Sequence, residues 1–235
     1  MNQVALVTGG ATRIGRSISL HLAKLGYDIV FTYCNSKEEA LTLNRELKKI
    51  KVKSLAIKWD FSKSQKIDLL FSRIQKSFCK IDLVVNNAAI FFPDNLQTFN
   101  SQNFSRILSI NLIAPLLLTQ HQIATNPNSH IITILDNRIA FNDKNYLSYS
   151  LTKKFLHQAM VHLTAVSPLS CRINAIAPAA IIASKNQKDL TITGNKKLNY
   201  IDRQDQLLGA IDFFLNNNYV NGETLFIDGK SRYSL

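Results

Sequence analysis

The chain has 235 residues, 46% of them hydrophobic and 19% charged, which suits one ordinary globular domain and excludes a disordered or disulfide-stapled miniature. A formal charge of +12 and a pI near 9.7 would suit an anionic partner. No basic run is interleaved with aromatic residues, however, and lysines such as Lys48, Lys49, Lys51 and Lys53 read as solvated surface, so no nucleic-acid partner is expected.

Strand-like runs at 4–8, 28–33, 52–58, 83–86, 130–135, 171–177 and 224–227 alternate with segments of helical apolar spacing at 14–25, 38–50, 66–78, 104–124, 147–166 and 204–215. The early strands are near-continuous apolar runs, as expected where both faces of a parallel sheet are covered. The alternation predicts a single-domain, Rossmann-type doubly wound α/β fold, with about seven parallel strands and helices on both faces. Only 179–200 is polar, irregular and rich in Lys and Asn, and it is expected to be a short substrate lid or a disordered loop.

In such a sheet, ligands bind at the carboxyl ends of the strands. The first turn is Thr8-Gly9-Gly10-Ala11-Thr12-Arg13-Ile14-Gly15. Gly9 and Gly10 permit close backbone approach, Gly15 lets the next helix pack near the strand, and that helix offers free N–H groups to a pyrophosphate. Arg13 could pair with phosphates bidentately. The second strand ends at Tyr33-Cys34-Asn35-Ser36, with no acid before Glu38 to bind a ribose diol. Ser36 could donate to a 2′-phosphate, which favours NADP over NAD, or Asn35-Ser36 could cap the next helix. Asp60, before Phe61, could accept from an adenine amino group or cap a helix beginning near Ser62. Asn86-Asn87-Ala88-Ala89 leads to Phe91 and Pro93, where small alanines allow a cofactor against the backbone and Phe91 could stack on a flat ring. Asn111 lies four residues before Pro115, whose missing N–H frees geometry with which Asn111 could hold a water or a backbone group.

Tyr149 and Lys153 are four apart, one turn of a helix, so an ammonium beside the phenol is expected to lower its pKa and make it a general acid. Cys34, Cys79 and Cys171 form no C-x-x-C, and no histidine spacing suits zinc, so no metal site is expected. No signal peptide and no apolar run of membrane-spanning length is read, and a cytoplasmic protein without a membrane partner is expected.

Thr8-Gly9 through Gly15, Asn86-Asn87-Ala88, Asn111, Tyr149-x-x-x-Lys153, Asn174-x-x-x-Pro178 and Asp228-Gly229 occur in order along the whole chain. Together they resemble the short-chain dehydrogenase/reductase family. Within it the chain looks most like pteridine reductases and bacterial dihydromonapterin reductases. The features that carry this are Arg13, the Phe91 that follows Asn-Asn-Ala, and Asp136, thirteen residues before Tyr149 where most members carry serine.

The resemblance implies NADPH-dependent reduction of a 7,8-dihydropterin (dihydromonapterin, dihydrofolate or dihydrobiopterin) to the tetrahydropterin, within tetrahydrofolate biosynthesis. It implies catalysis by Asp136, Tyr149, Lys153 and Asn111, and a pterin held by Arg13, Phe91, Asp136 and Tyr149. It implies a cofactor held along Gly9, Arg13, Ile14, Tyr33, Asn35, Ser36, Asp60 and Phe61, then along Asn87, Ala88, Ala89, Lys153 and Pro178. A homotetramer with dimer faces on the helices at 104–124 and 147–166 is also implied. The chain departs from the pattern at Asn35, where pteridine reductases often carry Arg, and at Ala179, where the wider family has glycine. The alternative is an NADPH-dependent carbonyl reductase such as a 3-oxoacyl-carrier-protein reductase.

Overall fold

The computed structural model describes residues 2–63, 66–179 and 200–233, with backbone alone at 200–203; the lid expected at 179–200 lies almost wholly outside the described residues. Seven parallel strands form one sheet: β1 (Val4–Val7), β2 (Asp28–Tyr33), β3 (Ser54–Lys58), β4 (Leu83–Asn86), β5 (His130–Ile134), β6 (Arg172–Pro178) and β7 (Thr224–Ile227). Their order is β3-β2-β1-β4-β5-β6-β7. The winding reverses between β1 and β4, which are paired from Ala5↔Leu83 to Val7↔Val85, and the crevice beyond their carboxyl ends is the natural ligand site.

Helices α1 (Arg13–Lys24), α2 (Lys37–Ile50) and α7 (Tyr200–Asn216) cover one face. Helices α3 (Ile67–Gln75), α4 (Ser101–Leu108), α5 (Ala114–Thr125) and α6 (Leu147–Val166) belong to the other. Alternation along each strand feeds both layers: Leu6 joins the α3/α5/α6 core and Ala5 and Val7 the α1/α2/α7 core. All four β1 residues are buried, which is why the strand reads as an unbroken apolar run.

Two expected elements are corrected. The strand at 52–58 begins pairing only at Ser54, because Lys53 N–H donates to the Asp28 carboxylate (2.8 Å). The helix at 104–124 is not uniform. It starts at Ser101, capped by Asn100 Oδ1 on the N–H groups of Gln102 and Asn103 (both 3.0 Å), and it carries a π-turn at Ser109–Ile113 just before Pro115. The whole Ser101–Thr125 helix is long and apolar enough to match a membrane span, contrary to the reading that no such run exists. In the fold it packs against α3 and α6, and its apolar side completes the core.

Candidate active site

The turn after β1 is built for close approach. Gly9 has φ +63°, and a side chain on Gly15 would put its Cβ 2.3 Å from the Gly9 carbonyl oxygen. Asn87 locks this turn to the end of β4: its Nδ2 donates to Thr8 O (2.8 Å) and Gly9 O (3.3 Å), and Thr8 Oγ1 accepts from Asn87 N–H and Ala88 N–H (2.9 Å each). Helix α1 then starts at Arg13, itself at φ +51°, with no side-chain cap from Thr12 and no acid in its first turn. A helix start without a side-chain cap from Thr12 suits an anion. Ile14 packs behind the turn on the α1/α2/α7 core, and Arg13 is close enough to Tyr149 for its charge to act on the phenol.

At the end of β2, Tyr33 is half-buried and Asn35 exposed, with Cys34 Sγ–H directed at Asn35 Oδ1 (3.6 Å). Ser36 precedes α2 but makes no side-chain capping bond, so the capping alternative is not how its hydroxyl is used. Asp60 caps locally: Oδ1 accepts from Ser62 N–H (2.9 Å) and Ser62 Oγ–H (2.6 Å), which together hold its carboxyl below the usual range, while α3 begins only at Ile67. Phe61 is buried beside it, Ala89 is exposed beyond β4, and Pro178 ends β6 at the same edge of the sheet. Asn174 of the N-x-x-x-P pair lies elsewhere, tying β6 to the loop before β7 through Val220 O (3.1 Å) and Glu223 N–H (3.0 Å).

Asn111 sits in the π-turn, and the displaced backbone there lets it hold both main-chain polar groups of Ile90: Ile90 N–H donates to Oδ1 (2.9 Å) and Nδ2 donates to Ile90 O (3.0 Å). It therefore fixes the residue next to Phe91. Across the cleft, α6 presents Tyr149 and Lys153, 6% and 3% exposed. Tyr149 O–H donates to Asp136 Oδ2 (3.0 Å), and Lys153 Nζ donates to Ile134 O (2.7 Å).

The expected lowering of the Tyr149 pKa is overturned. Burial, then the Asp136 charge and its hydrogen bond, raise the phenol well above its ordinary value, with Arg138 and Arg13 opposing. Lys153 does not offset this: its ammonium faces a backbone carbonyl, 5.9 Å from the Tyr149 ring centre, and burial lowers its own pKa to about 8. Spacing along the helix brought the two side chains together, and burial reversed the electrostatic consequence.

Three residues of the cleft were not singled out from the sequence. Arg138 donates from its backbone N–H and Nη1 to Asp136 Oδ1 (2.9 and 3.2 Å) and from Nε to Asp143 Oδ2 (2.7 Å). Tyr146 stacks on Phe91, centroids 4.3 Å apart at 13°, and the Arg138 guanidinium lies 5.3 and 5.1 Å from those two rings. Phe91 also meets Tyr149 edge to face at 4.7 Å and is 45% exposed. Asp94, at the end of the Phe91 loop, bonds to the first turn of α6. Proximity of Arg138 to Asp136 in sequence was the one signal available. Among the described residues no cluster of three metal-ligating side chains occurs.

The family model described as short chain dehydrogenase matches residues 3–195. A 3-oxoacyl-[acyl-carrier-protein] reductase FabG of Staphylococcus epidermidis is 27% identical over 251 residues, covering 97% of this chain and 98% of its own. The crystal structure of FolM alternative dihydrofolate reductase 1 from Brucella suis in complex with NADP superposes with TM-score 0.88 at 22% identity, covering 100% of this chain and 96% of that one. A blue fluorescent protein from a metagenomic library, in complex with NADPH, gives TM-score 0.85 at 25% identity, covering 97% and 96%.

Proposed function

Because this chain belongs to the short-chain dehydrogenase family, we propose that it is an NADPH-dependent reductase of a 7,8-dihydropterin. The turn at Gly9, the uncapped start of α1 and the absence of an acid at Asn35-Ser36 fit a dinucleotide carrying a 2′-phosphate, and similar folds are known with NADP and NADPH bound. Gly9, Arg13, Asn87 and Ala88 would hold its phosphates and ribose, with Ser36 at the 2′-position and Lys153 at the nicotinamide end. When bound, that cofactor supplies the hydride for C6 of the pterin.

The observation that carries the substrate assignment is the Tyr149–Asp136 hydrogen bond. Reduction of the N5=C6 imine needs a proton at N5, and Tyr149 O–H, kept protonated by burial and the adjacent carboxylate, is the donor at hand. Asp136 orients that hydroxyl and accepts from the substituents of a pterin ring. A ketone, by contrast, develops negative charge on oxygen, which a neighbouring carboxylate disfavours. Phe91 supplies an aromatic wall for a flat ring, and Asn111 fixes the backbone from which it projects. Pairing of Arg138 with Asp136 and Asp143 holds the carboxylate in register.

The alternative, a 3-oxoacyl-carrier-protein reductase, is favoured by the FabG relatives, 26–27% identical over nearly the whole chain. The assay follows NADPH oxidation with dihydromonapterin, dihydrobiopterin, dihydrofolate and a 3-oxoacyl thioester. Turnover of a pterin supports the proposal; turnover of the thioester alone rejects it.

A further inference from the structure

The NADPH reading leaves the 2′-phosphate to Ser36, Arg13 and Lys37, because Tyr33-Cys34-Asn35-Ser36 at the end of β2 contains no basic residue of its own. The neighbouring strand supplies one. In β3 the side chains alternate strictly. Leu55 and Ile57 pack into the α3/α5/α6 core. Ala56 packs on the opposite core with α2, and Ser54 Oγ–H donates to Asn44 Oδ1 of α2 (2.5 Å). By the same two-residue period, Lys58 projects on the α2 face, at the carboxyl end of the strand. Its register partner is Tyr33, and Trp59 N–H bonds Tyr33 O (2.8 Å), so the end of β3 is fastened beside the segment that leads into Ser36 and α2.

We propose that Lys58 is the cation that receives the 2′-phosphate of the cofactor, with Ser36 as its hydrogen-bonding companion. This rests on the NADPH reading above. Nearby charges distinguish Lys58 from Lys63 and Arg106. All three act on the Cys34 thiol, but Lys63 and Arg106 act on the Asp60 carboxylate as well, and Lys58 is not among the charges felt by Asp60. Among the described residues no carboxylate lies within ion-pair distance of Lys58, which is exposed at the strand end. A lysine ammonium serves a phosphate as a point charge and needs no bidentate geometry, so one residue at the end of a strand suffices.

The test uses the full chain without cofactor and two probes that differ only in the phosphate, 2′,5′-ADP and 5′-AMP, titrated calorimetrically. The wild-type protein should prefer 2′,5′-ADP, with a preference that shrinks as salt is raised. Lys58→Gln should lower 2′,5′-ADP affinity about tenfold and leave 5′-AMP unchanged; Lys58→Arg should restore it. Lys63→Gln should change neither probe. The ratio of kcat/KM for NADPH over NADH should fall in Lys58→Gln by the same factor. Equal binding of both probes by the wild type would reject the NADPH reading itself. A wild-type preference retained in Lys58→Gln, shown to be folded by an unchanged Tm, would reject Lys58 alone.

Discussion

Asp94 closes the amino end of the helix that carries Tyr149. Its Oδ1 accepts from Ser148 N–H (3.0 Å), its Oδ2 accepts from Ser148 Oγ–H, and its backbone bonds Asn145 O (2.9 Å) and Leu147 N–H (3.1 Å). Helix α6 has no side-chain cap of its own from Tyr146, so a residue more than fifty positions earlier does that work. The same contact clamps the Phe91 loop to the wall of the cleft.

Asp94→Ala is therefore expected to leave buried donors on Ser148 without an acceptor, at about 1–3 kcal/mol. Thermal unfolding should show a Tm lower by several degrees. KM for the flat substrate should rise more than kcat falls, because Phe91 loses its tether. An unchanged Tm would show that the clamp carries no energy.

Tyr149→Phe removes the proton donor but keeps the buried ring. A drop in kcat of about 10²–10⁴-fold, with cofactor binding unchanged by fluorescence titration, is the expected result. Activity near that of wild type would assign proton delivery to another group.

Asp136→Ser separates the two substrate classes. Pterin reduction should fall by about 10²-fold or more, since the acceptor of the Tyr149 hydroxyl is lost. Ketone reduction should persist or rise. Equal damage to both substrates would argue against a special role of the carboxylate in imine reduction.

Arg138→Lys is not conservative here. One planar guanidinium serves Asp136 and Asp143 while lying beside the Phe91 and Tyr146 rings, and an ammonium cannot reproduce that fork. We expect kcat/KM for the pterin to fall about tenfold in both Arg138→Lys and Arg138→Gln; full activity in the lysine variant would reduce the role of Arg138 to charge alone.

His130 reports on acid stability. Burial against Asn174 and Phe214, with Arg172 nearby, lowers its pKa from 6.5 to about 3. The unfolded chain therefore binds a proton that the folded one refuses, and stability is lost as pH falls from 6.5 toward 3, by about 1.4 kcal/mol per pH unit. Urea unfolding of wild type and His130→Gln at pH 7, 6 and 5 measures this. The wild type should show the steeper decline, and parallel curves would exclude His130 as its source.

The sequence by itself determined the sheet and the binding edge. Strand runs buried on both faces are continuous in apolar character, and a glycine turn between a strand and a helix has few other uses, so β1, α1 and their neighbours were legible from local pattern alone. It also gave the Tyr149–Lys153 pair, because helical spacing is local. The tertiary structure decided what surrounds that pair. Burial and the approach of Asp136 set the charge state of the phenol, and desolvation is a property of the packed cleft, not of spacing. The π-turn that frees Asn111 to grip Ile90, the Asp94 clamp, the Arg138–Tyr146–Phe91 wall and the pairing that sets Lys58 beside the end of β2 all depend on contacts between elements distant in the chain. No single-segment periodicity encodes them, since each arises where two independently formed elements meet.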